Sequence, residues 1–265
     1  MAAPKPVPHV TLTSDFGTRD PYVAALKGVV LSRCPQAQLH DLSHDIPPQD
    51  IAAAALYIAE AAPWFPENTV HVVVVDPGVG SERLPIIVRA GKQFLVGPDN
   101  GVFSLLLQRT TLEGARVINN PDWMLPTVSA TFHGRDVFAA AAGLIARGEG
   151  MEHSGPALER IHQLQWAAPE KDGPQVAGAV VSIDRFGNVI SNIHRNDLGG
   201  ATVRAVACGG HRFEGRWRTY SDAPIGGSLF LFSSGGYLEL AVRDGSAAET
   251  FGLGRGTAFV AELGA

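Results

Sequence analysis

Two aspartates stand where a strand-like run breaks into a glycine-containing turn: Asp15 directly after VTLTS, and Asp76 directly after VHVVVV. A carboxylate at a strand end is partly dehydrated yet open to solvent, which suits hydroxyl binding or activation of a water. Either residue could instead cap the turn or helix that follows it. In VVVDPGVGSERLP, Arg83 follows Asp76 by seven residues, with Gly78 and Gly80 between them. Those glycines let the chain turn sharply and approach a ligand closely. Arg83 can then fold back and hold the Asp76 carboxylate ionised and oriented, although an ordinary surface ion pair has the same spacing. His133, in SATFHGRDVFAAAAG, sits just before Gly134 and a helix-like run. It could share a water with Asp76 or serve as the cap of that helix.

Other clusters are less suggestive. HDLSHD holds His40, Asp41, His44 and Asp45 like loose metal ligands, but its spacing matches no helical zinc motif, so no metal site is expected. GVG after the third strand is not the dinucleotide fingerprint, which needs G-x-G-x-x-G opening a helix. IDRFGNVISN and SSGGYLEL combine polar residues, an aromatic and glycines, as a ligand-facing loop or a plain hairpin turn would.

The elements that must position these residues fall into two textures. Over roughly the first 165 residues, short strand-like runs alternate with helix-like ones, the pattern of an α/β layered fold with a mostly parallel sheet. HVTLTSDFG reads as a strand, Asp20-Pro21 as the start of a helix over YVAALKGVVLSRC, and AQLHDLSHD as a second strand. Asp50 caps the Ala-rich IAAAALYIAEAA, and VHVVVV has the continuous β-branched character of a strand buried on both faces. A hairpin over IIVRAGKQFLVGPDNG, a short helix at Val102 to Gln108, a strand at ARVIN and a helix from about Gly134 follow. Near Ala167 the texture changes: AAPEKDGPQ reads as a linker, and beyond it short alternating strands punctuated by glycine pairs indicate an all-β barrel or sandwich. The expected organisation is therefore an α/β N-terminal domain (residues 1–166) plus an all-β, barrel-like C-terminal domain (residues 176–265).

Composition excludes several classes. A net charge of -5 without a Lys/Arg cluster gives no reason to expect nucleic acid. The first ten residues hold three prolines and no apolar core, so no signal peptide is expected, and the apolar stretch around Ile51 to Ala59 is too short to span a bilayer. Cys34 and Cys208 are far apart and form no metal spacing, which fits a reducing compartment and makes the cytoplasm the expected location.

SDFGTRDPYVAALKGV, HDLSHDIPPQDIAAAA, FPENTVHVVVVDPGVGSERLP, FLVGPDNGVF, SATFHGRDVFA, IDRFGNVISNI and SSGGYLELAV occur in this order along almost the whole chain. Together they closely resemble the S-adenosyl-L-methionine hydroxide adenosyltransferases, relatives of the fluorinase and chlorinase that make 5′-halo-5′-deoxyadenosine. The resemblance implies a homotrimer whose active sites lie between the N-terminal domain of one subunit and the C-terminal domain of its neighbour. It implies a small-molecule substrate, S-adenosyl-L-methionine, hydrolysed to adenosine and L-methionine with no metal or other cofactor. An Asp–Arg–His triad positions and activates water in that family, and it falls on Asp76, Arg83 and His133. Asp15 matches the carboxylate that holds ribose hydroxyls. Asp184 and Asn188 match residues near the methionine amino group and the adenine, and Ser234 matches a contact to the methionine carboxylate. Where the fluorinase has a tyrosine this chain has Asp76; where it has a ribose-stacking aromatic this chain has, nearby, Gln49; where an arginine follows its serine this chain has Gly235. A halogenase and a non-catalytic sensor of an adenosyl ligand are the alternative readings. The triad argues against both, because neither halide transfer nor binding alone requires those three residue types.

Overall fold

The computed structural model describes residues 7–165, 168–215 and 217–264. Residues 1–6, part of the segment expected not to be a signal peptide, and Ala167, where the sequence texture changes, lie outside that range. Two compact units make up the chain, Met1–Leu164 and Gln165–Ala265.

In the first unit a six-stranded sheet has the order β2-β1-β3-β5-β4-β6. Its strands are β1 (His9–Ser14), β2 (Gln38–Ser43), β3 (Val70–Val74), β4 (Pro85–Ala90), β5 (Gln93–Pro98) and β6 (Leu112–Val117). β2, β1, β3 and β5 run parallel, whereas β4 is antiparallel to both β5 and β6, as the hairpin reading of IIVRAGKQFLVGPDNG requires. β3 is buried along its whole length. Its valines alternate between two cores, Val70, Val72 and Val74 in one and Val73 in the other, joined there by Val75 just past the strand end. Period-two alternation with apolar residues on both sides is what a central strand between two helical layers needs.

Helices α1 (Tyr22–Arg33) and α4 (Ala140–Arg147) pack on the first of these cores, and α2 (Ile51–Ala61) and α3 (Ser104–Leu107) on the second. α2 begins as expected, with the Asp50 carboxylate accepting from the Ala53 N–H at 3.1 Å, a cap contributing about 1 kcal/mol. Asp20 does not cap α1: the cap position falls on Pro21, which has no side chain able to accept a hydrogen bond. The expected helix at Gly134 exists, but its first turn, Gly134–Ala139, is a π-helix that passes into α4.

The second unit is an eight-stranded antiparallel sheet of order β11-β10-β14-β8-β9-β13-β12, with β7 added to β8. Its strands are β7 (Glu170–Asp172), β8 (Gln175–Ile183), β9 (Val189–His194), β10 (Thr202–Cys208), β11 (His211–Glu214), β12 (Ser228–Phe232), β13 (Tyr237–Val242) and β14 (Ala258–Gly264). β8 pairs with β14 over its first half and with β9 over its second. A strand shared this way bends the sheet round on itself, giving the nearly closed, barrel-like form. Val180, Val206, Phe230, Leu240 and Phe259 fill the inside. One helix, α5 (Ala247–Phe251), follows β13. The stretch expected to be a linker is partly strand: β7 folds back on β8 through Gly173, whose φ of +53° suits a tight hairpin turn.

Candidate active site

β1 and β3 are adjacent and parallel, with Ser14 opposite Val74, so Asp15 and Asp76 emerge from neighbouring strand ends. The chain leaves β1 toward β2 on one side of it, while β3 lies on the other. This is the topological switch point at which open α/β sheets form ligand crevices. After β3 the chain turns tightly, the Val79 N–H donating to the Asp76 carbonyl at 3.2 Å and the Ser81 N–H to the Gly78 carbonyl at 3.0 Å. Gly80 has a φ of +79°, and a Cβ there would lie 2.9 Å from the Ala130 carbonyl oxygen. Only glycine lets this loop press so closely on the segment that leads to His133.

Arg83 consequently reaches two partners. Its Nε donates to Asp76 Oδ1 and Oδ2 at 2.9 and 3.0 Å, and its Nη2 donates to Oδ2 at 2.5 Å. The same Nη2 donates to His133 Nδ1 at 2.8 Å. The Arg83 and Asp76 side chains are 8% and 6% exposed, so this is not a surface ion pair. Nor does the His133 side chain cap the helix behind it. A guanidinium has no acceptor atom, so Nδ1 must be bare and the neutral ring carries its proton on Nε2. Burial, and then the charge of Arg83, hold His133 below the ordinary histidine value, against the opposite pull of Asp76 and Asp136.

The π-turn behind His133 adds a fixed frame. Asp136 is fully buried and accepts from the Ser129 N–H at 2.8 Å and from Arg135 Nε at 2.6 Å, pinning the loop that precedes His133. The Arg83 guanidinium lies 5.3 Å from the centre of the Phe138 ring. π-turns inside helices recur at functional sites.

Asp15, Gln49, Asp76, Phe132 and His133 line one cleft of about 280 Å³. Asp15 Oδ2 accepts from the Gln49 N–H at 2.8 Å, a tie to a distant loop and not a cap of its own turn. Phe132, which packs edge-on against Phe16 and Tyr22, was not legible as a site residue, since its only signal is its place beside His133.

The structure brings the remaining candidates together only in part. Asp184 and Asn188 line a separate cleft of about 680 Å³ in the second unit, with Phe186, Tyr220 and Arg243. Asp184 Oδ1 accepts from the main-chain N–H groups of Phe186 and Asn188 at 2.8 and 2.9 Å, and Oδ2 from Asn188 Nδ2 at 2.9 Å. Tyr220, another residue the sequence did not single out, donates to Glu239 Oε1 at 2.6 Å, and burial with this bond pushes its phenol up. Ser234 lies in the exposed turn between β12 and β13 and lines neither cleft. Among the described residues no group of three or more His, Cys, Asp or Glu is placed to hold a metal ion, and no helix is long and apolar enough to cross a membrane.

The chain thus joins an α/β unit, with a carboxylate–guanidinium–imidazole chain at its switch point, to a barrel-like β unit. Known proteins make this architecture particular. The family model for the SAM hydroxide adenosyltransferase N-terminal domain matches residues 10–155, and that for the C-terminal domain matches residues 178–260. An (R)-S-adenosyl-L-methionine hydrolase of Thermus thermophilus is 41% identical, covering 93% of this chain and 96% of that protein. One of Salinispora arenicola is 39% identical over 91% and 93%. A fluorinase of Actinoplanes is more distant, 28% identical over 88% and 90%. Among solved structures, an uncharacterized conserved protein from Thermotoga maritima superposes with a TM-score of 0.87 at 30% identity, covering 95% of this chain and 99% of that one. The chain belongs to the SAM hydroxide adenosyltransferase family.

Proposed function

We propose that this protein hydrolyses S-adenosyl-L-methionine to adenosine and L-methionine by attack of water at C5′. The observation that carries this reading is the single hydrogen-bonded unit in which Arg83 holds both Asp76 and His133, which line the same cleft as Asp15.

The chemistry asks little of the protein at the leaving group. Sulfur in the sulfonium departs with the C5′–S electron pair as a neutral thioether, so no general acid is needed. The difficulty lies in the nucleophile, because water is a poor one and must be held in line with the C5′–S bond. His133 Nε2–H, the donor left free by the bond at Nδ1, orients the water oxygen. Asp76 accepts a hydrogen bond from the same water. As the C5′–O bond forms, the water becomes an alkyl oxonium, a far stronger acid than any carboxylic acid. A carboxylate oriented by Arg83 is therefore basic enough to take the proton. Asp15 holds the ribose hydroxyls, which fixes C5′ relative to that water.

The reading extends to a homotrimer in which Asp184, Asn188 and Ser234 of a neighbouring subunit complete the site around the adenine and methionine. This rests on the family resemblance, as does the metal-free mechanism; the cytoplasmic location rests on the sparse cysteines and the sequence composition. The relative identities favour hydrolysis over halogenation, since the relatives at 39–41% are hydrolases and the fluorinase stands at 28%.

The test is to incubate purified protein with S-adenosyl-L-methionine in ¹⁸O-labelled water containing chloride. Adenosine labelled at its 5′-oxygen supports the reading. 5′-Chloro-5′-deoxyadenosine would mean a halogenase, and tight binding with no product would mean a sensor.

A further inference from the structure

The HDLSHD motif does not assemble a metal site, yet one of its histidines is buried beside the proposed active site. His44 is 5% exposed and sits between Ser14 and Asp41. Ser14 Oγ lies 2.7 Å from His44 Nδ1, and His44 Nε2 lies 3.0 Å from Asp41 Oδ1. Lys27 Nζ donates to Asp41 Oδ2 at 2.6 Å.

With the His44 ring neutral, the donors and acceptors leave one arrangement of protons. An ammonium only donates and an ionised carboxylate only accepts, so Asp41 takes one bond from Lys27 and another from His44 Nε2–H. Burial raises the Asp41 pKa, but the bonds from Lys27 and His44 outweigh it and keep the carboxyl below its ordinary value. The neutral His44 ring then has a bare Nδ1, which accepts from the Ser14 hydroxyl. Ser14 Oγ in turn accepts from the Phe16 N–H at 3.4 Å. The order Ser–His–Asp looks like a nucleophilic triad, but Ser14 is fully buried and no substrate atom could reach it.

What the chain of bonds does reach is the turn that carries Asp15. Ser14 and Asp15 are consecutive, one side chain locked against His44 and the next lining the cleft. The same two segments are tied twice more. The Gly17 N–H donates to the His44 carbonyl at 2.7 Å, and the Gln49 N–H donates to Asp15 Oδ2 at 2.8 Å. Gln49 holds a φ of +64°, a left-handed conformation that a non-glycine residue keeps only when its surroundings enforce it.

We propose that His44 is a positioning residue for the reaction: the Lys27–Asp41–His44–Ser14 relay fixes the turn after β1 so that Asp15 meets the ribose in register with the water held by Asp76 and His133. The proposal rests on the function given above for the Asp15 cleft. His44 touches neither substrate nor water, and acts only through Asp15.

A double-mutant cycle tests this. Glutamine at 44 can still donate to Asp41 but offers no acceptor at the Nδ1 position. His44→Gln should therefore lower kcat/KM by roughly 10- to 100-fold when Asp15 is present, through misplacement of the ribose. In an Asp15→Asn background the same change should cost less than about threefold, because residues acting as one unit are not additive. His44→Asn, whose side-chain oxygen can occupy the Nδ1 position and accept from Ser14, should recover most of the loss. Adenosine affinity, measured by calorimetry on the same four proteins, should show the same non-additivity. Full additivity in an active enzyme, or a His44→Gln protein as active as wild type, overturns the relay alone. Wild-type protein that neither hydrolyses S-adenosyl-L-methionine nor binds adenosine overturns the functional reading and the relay together. If His44→Gln fails to fold, Ser14→Ala replaces it in the cycle with the same expected pattern.

Discussion

Replacing Arg83 by lysine separates charge from geometry at the proposed centre. The arginine uses two nitrogens on one rigid plane: Nε and Nη2 grip Asp76, and Nη2 also serves His133 Nδ1. Lysine keeps the positive charge, but its three N–H donors diverge from one nitrogen, so it cannot reproduce the planar Nε/Nη2 fork on Asp76 while also reaching His133 Nδ1. The loss is at least one charge-assisted hydrogen bond, about 1.5–3 kcal/mol, which is roughly 10- to 150-fold if it is lost in the transition state. Arg83→Lys should therefore show kcat reduced by about that factor, with nearly unchanged substrate affinity and thermal stability. Arg83→Gln should do worse on two counts. It strands the Asp76 carboxylate, whose side chain is 6% exposed, at a stability cost of about 3–5 kcal/mol for a broken buried pair. It also removes a charge that helps hold His133 below the ordinary histidine value. Protonation of His133 would set an N–H against the Arg83 donor, so activity falls as pH drops through the His133 pKa. In Arg83→Gln that acid limb should move up toward the ordinary value, and in Arg83→Lys it should stay in place. The measurements are initial rates of adenosine release from pH 5 to 8 with melting curves alongside. An Arg83→Lys enzyme within twofold of wild type would refute the shared-donor argument.

Three further outcomes are expected. Activity should survive exhaustive EDTA treatment, since the proposed chemistry routes no step through a metal; loss restored by one divalent ion would reinstate a metal-assisted mechanism. Mixing Asp76→Asn and Asp184→Ala subunits, each inactive alone, should regain activity after confirmed subunit exchange if sites are shared around a closed ring, whereas mixtures as inactive as the parents would mean that each subunit carries a whole site. Burial holds His71 at about 4 against an ordinary 6.5, so the unfolded chain binds the proton first. Stability should fall as pH drops from about 6.5 to about 4, by up to ~3 kcal/mol; a His71→Gln protein that folds but shows the same acid slope in urea titrations would assign that slope to other groups.

Much of the architecture was legible because its signals are local. VHVVVV announced a strand buried on both faces, and Asp50 announced the start of α2, each by residue type and position. Errors came where one position depended on geometry that the sequence does not state. Asp20 and Pro21 both suit a helix start, and the cap position fell one residue later than expected. The polar stretch at Glu170–Asp172 looked like a linker until pairing with β8 made it a strand. The site was legible by residue type but not by connection. Arg83 and His133 are 50 residues apart in sequence, and only the contact between the Gly80 loop and the Ala130 segment makes them neighbours. The π-turn after His133 and the left-handed Gln49 left no recognisable mark, because both conformations are imposed by surrounding structure.

The same geometry bears on why the nucleophile should be water and not a halide. An anion approaching C5′ beside Asp76 meets a carboxylate that is fixed, nearly buried and ionised. At about 4 Å and an effective dielectric constant near 20, two like charges repel by about 4 kcal/mol. Arg83 offsets part of this, but its donors at Asp76 and His133 are already engaged. Water meets no such penalty, since it can donate to the carboxylate and accept from His133 Nε2–H at once. A tyrosine in place of the aspartate, as in the fluorinase pattern, removes the fixed negative charge and leaves a hydroxyl able to donate to an anion. On the proposed mechanism, selection between the two nucleophiles can therefore rest largely on one side chain at the end of β3.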